Sequence, residues 1–232
     1  EHYDVAREVA EEGIVLLKNN RVGKKKTTLL PIDGNRYKKI LVVGDNAVRM
    51  LNQGGGSSEL KAKDMVSPLQ GLKGVYGDKI EFAQGYMAGN PMYGKVENID
   101  KCVEDSLRAQ AINMAKDADL IIMFGGLNKN HLQDCEGGDR ESYSLPFAQN
   151  ELIEALTSVN KNFVLVLLSG NAVEMPWVKR VPAIVQGWYA GSMGGYALAD
   201  ILSGKVNPSG KLPFSFPVKL SDCGAHSFDA LS

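Results

Sequence analysis

The sequence predicts an α/β protein: a three-layer α/β/α sandwich on a mostly parallel sheet of about six strands with one antiparallel edge strand. Short runs of branched apolar residues that end in Gly or Asp alternate along the chain with helical patterns, as is typical of buried parallel strands. This alternation implies right-handed crossovers, which place helices on both faces of the sheet. With 232 residues, 44% of them hydrophobic, the chain can bury one sizeable core.

Each predicted element is a run of one of these two kinds. The strand pattern predicts strands at 40–44, 79–83, 120–125, 164–170 and 183–187, of which 79–83 is the weakest. The helical pattern predicts helices at 4–18, 101–116, 146–159 and 192–202. Pro146 lies near the first turn of its predicted helix, where a fixed φ and a missing N–H are tolerated.

The segment 211–217, KLPFSFP, is the last strand candidate. A central strand would not tolerate its two prolines, so we expect it to be the antiparallel edge strand. The tail 218–232 has little pattern, and we expect a domain at 1–217 followed by this linker-like segment.

Composition argues against several functional classes. The 26 Lys and Arg residues nearly balance the 27 Asp and Glu residues, so no overall field favours nucleic acid or an anionic membrane as partner. No apolar run approaches the roughly 20 residues that span a bilayer. The 3 cysteines, Cys102, Cys135 and Cys223, are odd in number and widely spaced, which excludes a complete disulfide framework and a CxxC metal site. They do not fix the compartment, and a soluble, periplasmic or secreted parent protein is compatible with them.

Loops that follow strand ends compete for the functional site, because open α/β sheets carry their chemistry at the carboxyl ends of strands. The glycine loop, NQGGGSSE at 52–59, comes after the strand at 40–44. Its consecutive glycines would let backbone N–H groups approach a ligand closely. It lacks both a GxGxxG dinucleotide fingerprint and the Gly-Lys-Ser/Thr of a P-loop. A plain flexible turn and a ligand contact are equally open interpretations.

The acidic loop, DCEGGDR at 134–140, follows the strand at 120–125 and holds three carboxylates and an arginine. Glu136 is its candidate catalytic residue, because the adjacent glycines leave room for a substrate. The neighbouring acids are expected to raise the pKa of Glu136, as a general acid requires.

Three other interpretations of the acidic loop are open at this point. Its acids and His131 could hold a metal, but their spacing matches no zinc or calcium pattern, and we predict neither a metal nor another cofactor. Cys135 could be a nucleophile, although no His partner is evident. The loop could also be a solvated surface loop in which Arg140 pairs with Asp139 or Glu141.

The stretch 186–217 decides between these interpretations. It contains QGWYAGSMGGYALAD and GKVNPSGKLPFSFP, and it resembles, nearly residue for residue, the C-terminal α/β sandwich domain of family 3 glycoside hydrolases. The segments EEGIVLLKN at 11–19, GGGSS at 54–58 and EGGDR at 136–140 match the same family in the same order. The resemblance covers essentially the whole chain.

The resemblance implies a domain of a retaining, exo-acting β-glycosidase, best matched to a β-glucosidase, that acts on a β-glucoside or a β-linked oligosaccharide. In this family a (β/α)8 barrel holds the aspartate nucleophile, and the sandwich domain lends residues to the same pocket. The chain enters a helical pattern at once and has no starting methionine, so we expect an excised domain whose partner is the N-terminal barrel of a longer protein. A β-xylosidase and a non-catalytic sugar-binding module are the alternatives.

The family pattern also implies roles for individual residues. Glu136 falls at the general acid/base position, with Asp134 and Glu141 as substitutes because this position drifts among subgroups. Asp139 and Arg140 would orient the acidic loop as a charge-assisted pair. The implied substrate contacts are Gly55, Gly56, Ser57, Ser58, Asp139 and Arg140. Some relatives have a tryptophan in the glycine loop, so an aromatic platform from this domain is not assured.

Overall fold

The computed structural model describes residues 1–57, 59–92 and 94–224. The helices in this part of the chain are α1 (His2–Gly13), α2 (Pro68–Tyr76), α3 (Lys101–Lys116), α4 (Gln149–Val159) and α5 (Gly194–Ser203). The strands are β1 (Val15–Asn19), β2 (Ile40–Val43), β3 (Ile80–Ala83), β4 (Leu120–Gly126), β5 (Phe163–Leu168) and β6 (Ala183–Gln186). None of the described helices is long and apolar enough to cross a membrane.

The strands form one six-stranded sheet in the order β1-β6-β5-β4-β2-β3. β1 pairs antiparallel with β6, and all the other pairs are parallel. The predicted fold class is therefore confirmed. After β2 the chain forms β3 on one side, and it then returns past β2 to form β4 on the other side. The carboxyl ends of β2 and β4 thus border a crevice at the topological switch point, where open α/β sheets bind ligands.

Both faces of the sheet are buried, which explains why its central strands are continuously apolar. Val42 and Ile122 face a core that includes side chains of α2 and α5. Val43 and Met123, the next residues along the same strands, face a second core formed with α3 and α4. Because these strands are packed on both faces, the loops at their ends begin from well-packed positions.

The antiparallel strand is not the segment that the sequence predicts. The predicted first helix ends at Gly13, and the apolar run after it forms β1. The segment 211–217 forms no strand. Its Phe214 ring packs edge-on against Trp188 and stacks on Phe216, each with a centroid distance of 5.8 Å. Since the two prolines remove backbone donors, side-chain packing rather than a ladder holds this segment.

Two helix starts also differ from the prediction. The apolar pattern does not predict α2, although Ser67 and Gln70 form a capping box at its start. Pro146 lies before α4 rather than in its first turn, because Phe147 and Ala148 adopt left-handed φ values of 60° and 50°. Local turn geometry, which the apolar pattern does not report, decides both starts.

The predicted linker-like tail lies partly outside the described residues. Leu220–Asp222 forms a short 3-10 turn, whereas residues 225–232 fall beyond the part of the chain that the structure describes. The domain boundary at residue 217 stays a prediction.

Helices α2 and α5 approach each other closely at a pair of glycines. A Cβ on Gly71 would overlap the backbone carbonyl of Gly195, and a Cβ on Gly195 would overlap the backbone of Ser67. Gly74, one turn further along α2, has open space around it. The glycine pair therefore sets the spacing of the two helices on this face of the sheet.

We expect Gly71→Ala to lower the free energy of unfolding by about 1–3 kcal/mol, since the added methyl group forces the two helices apart. Gly74→Ala is the matched control in the same helix, and we expect it to be neutral or to stabilise by up to about 1 kcal/mol, because alanine favours helix. Urea unfolding followed by circular dichroism measures both values. Equal stability of the two variants would contradict a tight contact at Gly71.

Candidate active site

The glycine loop and the acidic loop pair with each other at the switch point. The N–H of Gly55 donates to the carbonyl of Asp134 at 2.8 Å, and the N–H of Glu136 donates to the carbonyl of Gly55 at 3.1 Å. These bonds make an isolated parallel bridge between Gly55 and Cys135. The two loops that the sequence places after separate strands therefore form one structure.

Two positions of the glycine loop require glycine because the segment after β4, which includes the acidic loop, comes so close. Gly56 has a φ of 107°, which disfavours other residues, and a Cβ there would overlap the side chain of Glu136. A Cβ on Gly55 would lie 2.5 Å from the carbonyl oxygen of Lys129. The glycines thus permit contact between the loops, in addition to any approach to a ligand.

An open cleft of about 530 Å³ lies between the two loops and the segment that contains Met92. Gly55, Gly56, Ser57 and Glu136 line this cleft, so the structure brings these predicted site residues together. Ser58, which the sequence adds to the set, lies outside the described residues.

The carboxylate of Glu136 is exposed in the cleft and is held by Ser57. The Ser57 hydroxyl and the Ser57 N–H, the latter at 2.6 Å, both donate to Oε2 of Glu136. These bonds, first the one from the hydroxyl and then the one from the N–H, lower the pKa of Glu136 below its ordinary value. The expectation that neighbouring acids raise this pKa is wrong, because the two donors act directly on the charged form.

An ion pair that the sequence pattern does not reveal joins the two sides of the cleft. Lys129, just beyond β4, donates to the carboxylate of Glu59 in the glycine loop. The Lys129 side chain is 20% exposed and the Glu59 side chain 42%, so one end of the pair faces solvent. The ion pair ties the glycine loop to the end of β4 and places a positive charge in the cleft wall.

Asp139 and Arg140 do not form the predicted pair in the described structure. Asp139 is exposed and does not line the cleft. Arg140 turns away from it: Nη2 donates to the carbonyl of Ala172 at 2.7 Å, and the guanidinium lies 5.9 Å from the centre of the Tyr143 ring. Burial lowers the pKa of Arg140. The role of both residues as substrate contacts stays a prediction.

Asp134 joins the acidic loop to the loops after β5 and β6. One carboxylate oxygen accepts the N–H of Gly170 at 2.6 Å and the hydroxyl of Tyr189 at 2.7 Å. The other oxygen accepts the side-chain amide of Asn171 at 2.6 Å. The sequence singles out Asp134 only as a substitute acid, because these partners are 36 to 55 residues away and carry no local signal.

The alternative interpretations of the acidic loop can be compared with its geometry. Among the described residues, no group of three or more His, Cys, Asp or Glu side chains is placed to hold a metal ion. Cys135 is half-buried, and its thiol donates a hydrogen bond to the carbonyl oxygen of Glu136 at 3.4 Å. Glu136 is thus the acid that faces the cleft without a cationic partner among the described side chains.

The fold and the cleft define an α/β/α sandwich domain that carries a carboxylate at the switch point of its sheet. The chain belongs to the glycosyl hydrolase family 3 C-terminal domain family, whose sequence model matches residues 14–230. The family resemblance noted from the sequence motifs is therefore confirmed.

Relatives within the family carry several names. The chain is 63% identical over 232 residues to the beta-glucosidase BoGH3A of Bacteroides ovatus and covers 31% of that protein. It is 34% identical to a beta-xylosidase of Formosa agariphila, with 94% of this chain and 28% of that protein covered. A solved structure of a Bifidobacterium adolescentis GH3 beta-glucosidase matches with a TM-score of 0.79 and 35% identity, covering 97% of this chain and 30% of that one. The chain thus spans about a third or less of the length of these relatives.

We expect the carboxyl group of Glu136 to titrate below the ordinary Glu value of 4.5, because Ser57 donates two hydrogen bonds to its ionised form. A lowered folded-state pKa adds stability above the ordinary value, and this stability is lost as the pH falls through the lowered one. In Ser57→Ala the hydroxyl is lost and the backbone N–H remains, so the pKa should rise part of the way back.

Carboxyl carbon chemical shifts followed by NMR from pH 2 to pH 7 measure this titration. Ser158→Ala, which removes a hydroxyl on the exposed side of α4, is the control and should leave the Glu136 titration unchanged. A Glu136 pKa at or above the ordinary value in the unsubstituted chain would show that Ser57 does not hold the carboxylate.

Proposed function

We propose that this chain supplies the general acid/base and one wall of the active site of a retaining, exo-acting β-glucosidase. The observation that carries the proposal is the Glu136 carboxylate, exposed in an open cleft at the switch point of a family 3 domain. The proposed substrate is a β-glucoside or a β-linked oligosaccharide whose leaving group lies against the glycine loop.

The proposed reaction proceeds in two displacements. In the first, Glu136 gives its proton to the glycosidic oxygen as the bond from that oxygen to C1 breaks, and a nucleophilic carboxylate forms a bond to C1. In the second, the Glu136 carboxylate takes a proton from water while the water oxygen attacks C1 and displaces the nucleophile. The sugar is released with its anomeric configuration retained, and Glu136 is protonated again.

Retention requires a second carboxyl group at about 5–5.5 Å from the first. Among the described residues that line the cleft, the only other acid is Glu59, and Lys129 already neutralises it. We therefore place the nucleophile, an aspartate by family resemblance, on an N-terminal barrel of the parent protein. The chain's 31% share of the beta-glucosidase from Bacteroides ovatus supports a parent of several domains.

The lowered pKa of Glu136 gives the second domain a further role. A carboxyl group works as a general acid near neutral pH only if its pKa is raised. A second domain that covers the cleft removes water from Glu136 and brings an anionic nucleophile close, and both changes raise the pKa. In the proposal, assembly of the two domains converts an ionised surface glutamate into an acid.

Sugar preference is set on the donor side, which the proposal assigns to the barrel. The 63% identity to a protein named a beta-glucosidase supports a glucoside as substrate. A relative at 34% identity is named a beta-xylosidase, so a xyloside is the alternative substrate within the same mechanism.

The full-length parent protein with Glu136→Gln tests the catalytic role. We expect kcat/KM for aryl β-glucosides with poor leaving groups to fall by roughly 10²- to 10⁴-fold, because proton donation to the leaving oxygen is lost. Activated leaving groups such as 2,4-dinitrophenolate need no proton, so their first step should be nearly unaffected. Azide, which attacks C1 without base assistance, should restore turnover and give a β-glycosyl azide.

Glu151→Gln, at an exposed position on α4, is the control for this substitution and should keep full activity. If Glu136→Gln lowers kcat/KM equally for all leaving groups, or does not lower it, Glu136 is not the general acid/base.

The 232-residue chain alone provides a second test. We expect no hydrolysis of an aryl β-glucoside, since one of the two required carboxylates is missing. Turnover that disappears in Glu136→Gln would contradict this half-site proposal. Isothermal titration of the chain with glucose distinguishes the half-site proposal from a non-catalytic sugar-binding module. Binding in the micromolar range would favour the sugar-binding module, and absence of binding would favour the half-site proposal.

A further inference from the structure

We propose that Asp134 is a positioning residue, which fixes the acidic loop so that Glu136 is held at the point where a proton must be delivered. This inference rests on the proposed function of Glu136. It assigns to Asp134 an indirect role, because Asp134 does not itself line the cleft.

The side chain of Asp134 links the acidic loop to the loops that follow β5 and β6. Its three donors are the N–H of Gly170 at 2.6 Å, the amide of Asn171 at 2.6 Å and the hydroxyl of Tyr189 at 2.7 Å. Gly170 and Asn171 follow β5, and Tyr189 follows β6. The acidic loop itself follows β4, so one carboxylate connects the ends of three adjacent strands.

The backbone of Asp134 carries this fixed position to Glu136. The Asp134 N–H donates to the carbonyl of Asn128 at 2.9 Å, and its carbonyl accepts the N–H of Gly55 at 2.8 Å. Gly55 in turn accepts the N–H of Glu136 at 3.1 Å. A displacement of Asp134 would therefore move the glycine loop and Glu136 together.

The charge of Asp134 has a second use inside the domain. Arg140 is half-buried, burial lowers its pKa, and the negative charge of Asp134 opposes that shift. The pKa of Tyr189 is raised by burial and further by the nearby Asp134 carboxylate. Asp134 thus supplies the negative charge that stabilises the charged form of Arg140, a pairing that the family resemblance assigns to Asp139.

The geometry also separates Asp134 from proton transfer. Both of its carboxylate oxygens accept hydrogen bonds from the chain itself, and Asp134 is not among the residues that line the cleft, whereas Cys135 and Glu136 are. An acid in this place can fix the position of Glu136, but it does not line the cleft that would hold a ligand.

Asp134→Asn in the full-length parent protein tests the inference. The amide keeps only one of the two accepting oxygens and carries no charge, so Asn171 stays paired only if it turns its own side-chain amide, and the links to the neighbouring loops are weakened. We expect kcat/KM on aryl β-glucosides with poor leaving groups to fall by roughly 10- to 100-fold, as for a misplaced catalytic group. The loss on 2,4-dinitrophenyl β-glucoside should be several-fold smaller, and azide should rescue part of it.

Three further variants are measured beside Asp134→Asn, and Asn171→Ala is kept for the case in which that variant does not fold. Tyr189→Phe removes one donor and keeps the carboxylate, and we expect a loss of a few-fold with the same dependence on leaving group. Asp117→Asn makes the same chemical change at the exposed end of α3 and should leave kcat/KM unchanged. Glu136→Gln, measured in parallel, shows whether the acid/base signature exists in this protein at all.

The outcomes separate the two proposals. If Glu136→Gln shows the leaving-group signature while a folded Asp134→Asn variant loses activity equally on all substrates, or loses none, the positioning role is overturned and the proposed function stands. If Glu136→Gln lacks the signature, the proposed function fails and this inference fails with it. If Asp134→Asn does not fold, Tyr189→Phe and Asn171→Ala decide, and losses without leaving-group dependence in both overturn the inference.

Discussion

The pairing of Gly55 with the acidic loop is the contact on which the cleft depends. Two backbone hydrogen bonds join loops that leave the sheet on either side of the switch point. The contact is possible because Gly55 and Gly56 have no side chains to separate the loops. Without it, Ser57 would not reach Glu136, and the crevice between β2 and β4 would carry no preorganised carboxylate.

Firm support for this contact comes from the sheet. Strands β2, β4 and β5 are buried on both faces, and the Asp134 carboxylate links the acidic loop to the loop after β5 through the N–H of Gly170. Lys129 and Glu59 add a second link between the loops. The two loops are therefore linked at several points, which is consistent with the proposed role of one wall of an active site shared with another domain.

The electrostatics of the cleft lower the pKa of Glu136, whereas a general acid near neutral pH requires a raised pKa. Hydrogen bonds from Ser57 favour the charged form of Glu136, and the negative charge of Asp134 acts on the half-buried Arg140. In the proposed enzyme the pKa of Glu136 is set by what covers the cleft, because desolvation and a neighbouring anion both oppose the effect of Ser57. Within this domain alone, the hydrogen bonds from Ser57 favour the ionised form of Glu136, which can accept a proton but not donate one.

The sequence by itself determined the features that depend on neighbouring residues: the buried strands, the glycine and acidic loops after them, Glu136 as the candidate acid and membership of the family. Tertiary structure alone decided which segment is the antiparallel strand, because β1 is recognised by its pairing with β6 and not by its own pattern. It also decided the direction of the Glu136 pKa shift and the hydrogen-bond partners of Asp134. Ser57 lies 79 residues from Glu136, and Tyr189 lies 55 residues from Asp134, so no local pattern records these contacts.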